Sequence, residues 1–272
     1  GIIGVKTGTT NYFVVMALLA NRQKDWESIK DHVKACGMAA GRGMCGEKWH
    51  IGEDAVKRKD TRIPQLAFRK GEIWEGPLDE IVLREMTEKD IYITGANALD
   101  FQGNTAIELG GWNGGSIGRV LNTIYGKGIR LLIPVGLEKL IPTPIPEVLK
   151  ETGHCGLDYA HGEWYGVMPM HGTVFTEIDA FKMLTGAKAV PVGAGGVKGA
   201  EGAIHFSITG TEDQVKKVID IWENKVRGTK LPEIHLQDCK ECVWERGREG
   251  GLRMTRCSYV GKQNPVVHLY EQ

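Results

Sequence analysis

Two carboxylates in a glycine-rich segment, residues 95–118, are the strongest candidates for chemistry in this sequence. Asp100 and Glu108 lie there among seven glycines. A carboxylate can act as a general acid, a general base or a nucleophile, and glycine lets the backbone approach a ligand closely. We therefore predict a ligand site with Asp100 and Glu108 as its catalytic candidates. A long surface loop without a ligand is the alternative.

Small and amide side chains of the same segment could hold the ligand. Asparagine supplies both hydrogen-bond donors and acceptors. In an open α/β sheet, ligands bind beyond the carboxyl ends of the strands, and this segment follows such an end. The predicted ligand-binding residues of this segment are Gly95, Asn97, Asn113, Gly114, Gly115, Ser116 and Arg119.

A second anion site is predicted near the start of the chain, where a strand runs into a helix through a Gly-Thr turn. The N-terminus of a helix presents amide N–H groups and a positive dipole end, and hydroxyl groups add further donors. The predicted residues are Thr7, Gly8, Thr9 and Thr10. The turn lacks the Walker A pattern, and an ordinary helix cap is the alternative.

The C-terminal part of the chain carries a possible metal-ligand set. Cys239 and Cys242 form a C-x2-C motif, His235 precedes it, and Cys257 follows fifteen residues later. Four such ligands would complete a tetrahedral zinc site. One C-x2-C motif alone is also consistent with a redox dithiol or with ordinary reduced thiols.

Charge and composition exclude several classes of protein. The chain has 272 residues, with 34 basic and 34 acidic side chains and a formal net charge of zero. It therefore lacks the basic footprint of a nucleic-acid-binding protein. No apolar run approaches the roughly 18–20 residues of a membrane span, so we expect no membrane partner. Six cysteines are too few for a disulfide scaffold, and we expect a reduced, cytoplasmic setting without a signal peptide.

The start of the chain carries its own expectation. The first residue is Gly1 rather than Met. We expect either that Gly1 is foreign to the protein or that residues before Ile2 were trimmed.

The apolar pattern alternates between strand and helix, which favours βαβ units. We predict an α/β fold, with an open, mostly parallel sheet and helices on both faces, followed by a smaller α+β unit. The expected domains are residues 1–150, residues 151–228 and an irregular tail, residues 229–272. The main predicted elements are strands 2–6, 91–94, 129–134, 188–192 and 203–208, a hairpin at 64–74, and helices 9–20, 25–36, 77–86, 116–125, 176–184 and 211–227.

The strand followed by Gly95-Ala96-Asn97-Ala98-Leu99-Asp100 and a glycine cluster resembles the NagB/RpiA/CoA-transferase-like superfamily. Its ribose-phosphate isomerases carry a Gly-Ala-Asp-Glu-x-Asp motif before a Lys-Gly-Gly-Gly stretch. The turn Thr7-Gly8-Thr9-Thr10 is similar to that family's phosphate turn. The resemblance covers about residues 1–140 and implies this fold and a phosphate- or carboxylate-bearing ligand.

The sequence departs from the isomerase pattern at three places. Asn97 replaces the first carboxylate of the motif, whereas Asp100 matches the second. The family's lysine before the glycines is replaced in the region 108–110. Arg119 lies near the point where the isomerase keeps its glutamate base. The resemblance thus implies the ligand class and not isomerase activity, whereas the related CoA transferases would use a glutamate nucleophile, for which Glu108 is the candidate.

Three functions follow from these residues. The first is binding of a small anionic ligand (a sugar phosphate, a carboxylate or an acyl-CoA), with isomerisation or acyl or CoA transfer through a carboxylate. The second is a non-catalytic sensor or regulatory protein on the same fold. The third is a metalloprotein with zinc in the tail. No cofactor other than zinc is expected, CoA would be a substrate, and we expect a homo-oligomer.

Overall fold

The computed structural model describes residues 1–6, 8–22, 33, 35, 65–74, 77–110, 114–153, 155, 157, 159, 160, 162, 165–232, 256 and 257. Strands and helices alternate along most of these residues. The strands are β1 (Ile2–Lys6), β2 (Gln65–Arg69), β3 (Glu72–Trp74), β4 (Ile91–Ile93), β5 (Ala98–Asp100), β6 (Thr105–Leu109), β7 (Arg130–Pro134), β8 (Leu140–Ile141), β9 (Tyr159–Ala160), β10 (Gly166–Met170), β11 (Thr173–Phe175), β12 (Lys188–Ala194), β13 (Ile204–Thr209) and β14 (Arg256–Cys257). The helices are α1 (Thr9–Arg22), α2 (Leu78–Arg84), α3 (Gly115–Gly118), α4 (Leu121–Lys127), α5 (Ile145–Val148), α6 (Glu177–Thr185) and α7 (Glu212–Ile221).

The largest sheet has six strands in the order β11-β7-β4-β1-β2-β3. Strands β1, β4, β7 and β11 are mutually parallel, and β2 and β3 add an antiparallel hairpin. The four parallel strands therefore end at the same edge of the sheet, which is the edge where α/β proteins receive ligands.

A second sheet has the order β10-β6-β5-β8. Its pairings are antiparallel except for the one between β5 and β8. Strands β10 and β11 lie beyond residue 150, yet they pair with β6 and β7. The sheets of the first expected domain thus continue past its expected end, and the predicted domain division stays a prediction.

The chain is a mixed α/β protein, as the sequence predicts at the level of fold class. Parallel and antiparallel pairings are equally frequent among the described strands, so this structure does not establish a mostly parallel sheet. No helix within the described ranges is long and apolar enough to cross a membrane.

Two apolar cores lie on opposite faces of the six-stranded sheet. Successive residues of a strand point to opposite faces, and in β4 Tyr92 belongs to one core and Ile93 to the other. Val15 and Leu19 of α1 pack in the core with Ile93. Helices α2 and α4 pack in the core with Tyr92, where Ile124 is fully buried. The six-stranded sheet is therefore packed against helices on both of its faces.

The segment 95–118 is more regular than its glycine content suggests. It contains strands β5 and β6 and helix α3, although the sequence predicts a long irregular loop. Asp100 organises the turn between the two strands, and Gly103 adopts a φ of +85° there. The glycines in this segment therefore serve a tight hairpin as well as a possible ligand site.

The smaller unit consists of the antiparallel pair β12–β13 and the helices α6 and α7. Phe181 of α6 contacts Phe206 of β13 with ring centroids 5.4 Å apart. Helix α6 corresponds to the predicted helix at 176–184; the Thr176 N–H donates to Asp179 at 2.8 Å at its start, and Gly186 closes it with a φ of +76°. Helix α7 also begins as predicted, and a wider helical turn, Trp222–Val226, continues it.

Candidate functional site

Three loops meet at the carboxyl edge of the parallel strands. They are the start of α1 after β1, the residues after β4, and the residues after β7. A β-carbon built on Gly95, two residues after β4, would lie 3.7 Å from the Pro134 carbonyl oxygen and 3.8 Å from Nδ2 of Asn11. These distances place the three loops in direct contact around Gly95.

Asn11 is the most unusual polar residue of this edge. It is only 1% exposed, and its Nδ2 donates to the Lys6 carbonyl oxygen at 2.7 Å. Its Oδ1 is buried and accepts no hydrogen bond from the described residues. Leaving a buried acceptor unpaired costs about 1–3 kcal/mol. Such an atom is therefore expected to receive a donor that the described residues do not supply.

The side-chain position at Gly95 adjoins this acceptor. The β-carbon position on Gly95 is 3.9 Å from Oδ1 of Asn11, and it meets only ordinary van der Waals contacts. The neighbouring Thr94 is fully buried, and its N–H donates to the Leu132 carbonyl oxygen at 3.1 Å. The backbone at this point is thus fixed by the sheet, and a methyl group on residue 95 would fit beside Asn11 without a clash.

Glu108 lies on β6 and is held from two sides, by Asn97 and by Tyr165. Asn97 donates from Nδ2 to Oε2 of Glu108 at 3.0 Å and accepts the Glu108 N–H on its Oδ1 at 3.1 Å. The phenol of Tyr165 also hydrogen-bonds to the Glu108 carboxylate. Burial raises the pKa of Tyr165, and the charge and hydrogen bond of Glu108 raise it further. Glu108 is half-buried and oriented, as a reacting carboxylate must be.

The carboxylate of Asp100, the second predicted catalytic residue, is occupied by hydrogen bonds within the fold. It is 1% exposed, and its oxygens accept four hydrogen bonds of 2.9–3.1 Å, from the N–H groups of Gln102, Asn104 and Ile145 and from Nδ2 of Asn104. Burial alone would raise the pKa of Asp100, but these donors together hold it below the ordinary value. The geometry favours a structural role, and the catalytic role stays a prediction.

The remaining residues of the predicted ligand set fall into two groups. Gly8, Thr9 and Thr10 open α1 beside Asn11, as the sequence predicts, whereas Thr7 lies outside the described residues. Gly114, Gly115 and Ser116 stand at the start of the short helix α3, where both glycines have positive φ, and Asn113 lies outside the described residues.

Arg119 has a structural partner. Its Nε lies 3.2 Å from a carboxylate oxygen of Asp79 on α2, in a half-exposed ion pair. No contact in the described structure brings Arg119 to Asn11 or Gly95, and its ligand-binding role stays a prediction.

Glu177 is a further polar residue of this edge that the sequence motifs do not single out. It opens α6, and its carboxylate accepts the Leu137 N–H at 3.0 Å. Burial raises the pKa of Glu177, and the charge of Glu138 adds to the increase. Its position immediately after the cap residue Thr176, at the end of a parallel strand, is the signal that points to it.

The predicted zinc set cannot be placed. His235, Cys239 and Cys242 lie outside the described residues, and only the backbone of Cys257 is described, in β14 beside β9. Within the described part of the chain, no three histidine, cysteine or acidic side chains form a group that could hold a metal ion.

Comparison with known proteins gives one local match. Residues 204–246 are similar to the family model described as Ste50p, sterile alpha motif. Within the described residues this match covers β13, α7 and the turn that follows, and it spans far less than half of the chain. No curated protein and no solved structure matches the chain.

Proposed function

We propose that this protein binds a small anionic ligand at the carboxyl edge of its six-stranded sheet, between the start of α1 and the loop at Gly95. The observation that carries the proposal is the buried Oδ1 of Asn11, which accepts no hydrogen bond from the described residues and adjoins the side-chain position of Gly95. A buried acceptor without a donor is costly in the empty protein, and a ligand that supplies the donor removes that cost.

Two parts of the proposed site, Oδ1 of Asn11 and the first turn of α1, indicate which ligand would fit. Oδ1 of Asn11 requires a hydrogen-bond donor such as a hydroxyl group. The first turn of α1 has amide N–H groups without acceptors inside the helix, and its positive dipole end favours a negative charge. A ligand with both a hydroxyl group and an anionic group therefore fits better than a simple anion. Sugar phosphates, hydroxycarboxylates and acyl-CoA meet this requirement.

Glu108 is the residue that we propose for the chemistry. As a base, it would take a proton from the hydroxyl-bearing carbon next to a carbonyl group and deliver it to the carbonyl carbon, while the hydroxyl proton passes to the former carbonyl oxygen, so the isomerisation consumes no cofactor. As a nucleophile, it would attack a thioester carbonyl and release the CoA thiolate, which leaves an acyl group on the carboxylate. The hydrogen bonds of Asn97 and Tyr165 would hold its orientation in either reaction.

The proposal extends to the protein family, the type of sheet, the cellular location and the partners. We propose membership of the NagB/RpiA/CoA-transferase-like superfamily, with an open and mostly parallel sheet as its ligand platform. The four parallel strands β1, β4, β7 and β11 support this. We also propose a cytoplasmic location and no nucleic-acid or membrane partner, on the grounds of the zero net charge and the composition.

A second candidate function is a sensor that binds the ligand without converting it. The observation that favours it is the full engagement of Asp100 in its turn, together with an amide at Asn97 where the isomerases carry a carboxylate. Glu108→Gln separates the two functions. An enzyme would lose turnover by at least about 100-fold, whereas a sensor would bind the same ligand and show no turnover in either form.

Isothermal titration calorimetry with four probes tests the binding proposal. The probes are inorganic phosphate, a pentose phosphate, a hydroxycarboxylate and acetyl-CoA. We expect one of the hydroxyl-bearing probes to bind more tightly than inorganic phosphate, and Asn11→Ala to weaken its binding by about tenfold or more.

Asn21→Ala is the matched control for this experiment. Asn21 lies on the same helix, and its Nδ2 also donates to a backbone carbonyl, that of Ala17, at 2.7 Å, but it is exposed. The control should bind like the wild type. Equal binding by wild type and Asn11→Ala would contradict the site, and no binding by any probe would contradict the ligand class.

A further inference from the structure

Two helices begin at the carboxyl edge of the parallel strands, and their N-termini differ in charge. Helix α1 follows β1 and α6 follows β11, the two outermost of the four parallel strands. The positive end of a helix dipole attracts anionic groups, and acidic side chains in the first turn satisfy it from within the chain. The first turn of α1 contains no acidic residue, whereas that of α6 contains Glu177 and Asp179. An anionic ligand group is therefore favoured at α1 and disfavoured at α6.

The carboxylate of Glu177 reaches beyond its own helix. Asp179 completes the cap of α6, because its carboxylate accepts the Thr176 N–H at 2.8 Å and the Thr176 hydroxyl at 3.0 Å. Glu177 accepts the Leu137 N–H at 3.0 Å, in the loop that follows β7. Burial raises the pKa of Glu177, which is the cost of placing a carboxylate there. Glu177 thus belongs to the edge of the sheet as well as to the start of its helix.

Glu138 brings a second carboxylate to the same loop. Its side chain packs against Gly136, where a β-carbon would meet Oε1 of Glu138 at 2.8 Å. Gly136 follows Pro134 by two residues, and the Pro134 carbonyl oxygen lies 3.7 Å from the β-carbon position of Gly95. The charge of Glu138 also raises the pKa of Glu177, so the two carboxylates act on one another. The loop that borders Gly95 on the β7 side is therefore acidic.

The formal charge along this edge changes sign between β1 and β11. Residues 6–12, around the start of α1, contain one basic residue, Lys6, and no acidic residue. Residues 135–141 and 173–179, at the ends of β7 and β11, together contain three acidic residues and one basic residue, Lys139. Neighbouring strands lie about 4.8 Å apart, so the ends of β1 and β7 are about 10 Å apart. A ligand that starts at α1 and extends past Gly95 therefore approaches a region of opposite charge.

We propose that Glu138 and Glu177 determine specificity at this edge by selecting ligands that carry an anionic group at one end only. The anionic end lies at α1, and the uncharged, hydroxyl-bearing end points toward β7. The inference rests on the proposed function, because it concerns the same site, where the unpartnered Oδ1 of Asn11 is the independent sign of a ligand. A second anionic group would be repelled by the two carboxylates, whereas hydroxyl groups can donate to them.

Isothermal titration calorimetry with two matched pairs of probes tests the proposal. The first pair is a pentose 5-phosphate and the corresponding 1,5-bisphosphate, and the second is glycerate and tartrate, which differ by one carboxylate. In the pair that binds, we expect the probe with one anionic group to bind at least about tenfold more tightly, because like charges repel in a partly solvated site. The preference should shrink as salt is raised from about 50 mM to about 500 mM, because added ions screen this repulsion.

Glu138→Gln removes one of the two charges and keeps the shape of the side chain. It should reduce the preference for the probe with one anionic group at least about threefold. Glu177→Gln should act in the same direction, because its amide oxygen can still accept the Leu137 N–H. Glu147→Gln is the matched control, since it changes the net charge by the same amount at an exposed position of α5, where Glu147 pairs with Lys150. It should leave the preference unchanged.

The outcomes separate this inference from the proposed function. Binding of the probe with two anionic groups that is as tight or tighter, and that Asn11→Ala weakens, would leave the ligand site standing and overturn the specificity. A preference that neither Glu138→Gln nor Glu177→Gln reduces would overturn it as well. Binding that Asn11→Ala does not weaken, or no binding by any probe, would overturn the proposed function and this inference with it.

Discussion

Oδ1 of Asn11 is buried without a hydrogen-bond donor, 3.9 Å from the point where a side chain on residue 95 would begin. Residue 95 is glycine, so it has no side chain of its own at that point. Asn11 lies in the first turn of α1, which follows β1, and Gly95 follows β4, the parallel neighbour of β1. In the proposed function, a donor atom of the ligand reaches this acceptor at the edge where such sheets bind ligands.

Gly95→Ala is expected to hinder the ligand beside Asn11 without damaging the fold. The added β-carbon meets only ordinary contacts, and residue 95 does not have a positive φ. The free energy of unfolding should therefore change by less than about 1 kcal/mol, whereas the affinity for the best probe should fall by tenfold or more. Thermal unfolding and calorimetry measure the two quantities.

Gly126→Ala serves as the control for this substitution. Gly126 lies in α4 with open space around its β-carbon position. It should leave ligand binding unchanged. A Gly95→Ala variant that binds normally would show that the ligand does not enter beside Asn11.

Asp100 is expected to stabilise the fold rather than the reaction. Asp100→Asn keeps the shape of the side chain but removes the charge and turns one acceptor into a donor that faces the Ile145 N–H or the Asn104 amide. We expect a loss of about 2–3 kcal/mol in the free energy of unfolding at pH 7, since hydrogen bonds to charged groups have this value. Urea unfolding at several pH values measures it.

The pH dependence of this loss has a definite sign. The pKa of Asp100 in the folded protein lies below its ordinary value of 3.8. Its stabilisation is therefore fully present above about pH 4 and is lost as the pH falls through the folded pKa. The difference between wild type and Asp100→Asn should shrink in that range.

The exposed Glu147 provides the control for Asp100. It pairs with Lys150 at 2.8 Å on the surface of α5, and Glu147→Gln should cost less than about 1 kcal/mol. An Asp100→Asn variant of wild-type stability would contradict the structural role and restore Asp100 as a candidate for chemistry.

Glu108 is expected to control the ionisation of Tyr165. Burial raises the pKa of this phenol first, and the negative charge and hydrogen bond of Glu108 raise it further. Glu108→Gln removes the charge, so the pKa of Tyr165 should fall while staying above its ordinary value because of burial. The ultraviolet difference spectrum between each protein and its Tyr165→Phe form isolates this one tyrosine. An unchanged pKa would show that the two side chains are not in contact.

The sequence predicts the elements of this protein better than the arrangement of its site. The strand at 2–6, the hairpin near 65–74 and the caps of α6 follow from local residue types, because capping and alternation act over a few residues. The strands inside 95–118 are not predictable from the sequence, because a glycine-rich segment is compatible both with a loop and with a short hairpin.

The roles within the site depended on contacts that sequence spacing does not encode. Asp100 and Glu108 are equivalent as residue types, yet one is enclosed by the N–H groups of its own turn and of Ile145, and the other is half-buried between Asn97 and Tyr165. Asn11 directly follows the predicted turn residues, and its residue type alone marks it only as polar. Only its burial reveals an acceptor without a donor.

A crystal structure of the full chain with the tightest of the four probes tests the central claim most directly. The account predicts ligand density beside Gly95, with a ligand donor within hydrogen-bond distance, about 2.7–3.2 Å, of Oδ1 of Asn11 and an anionic group at the first turn of α1. Density for the bound ligand elsewhere, with a side chain of the protein itself donating to Oδ1 of Asn11, would contradict it.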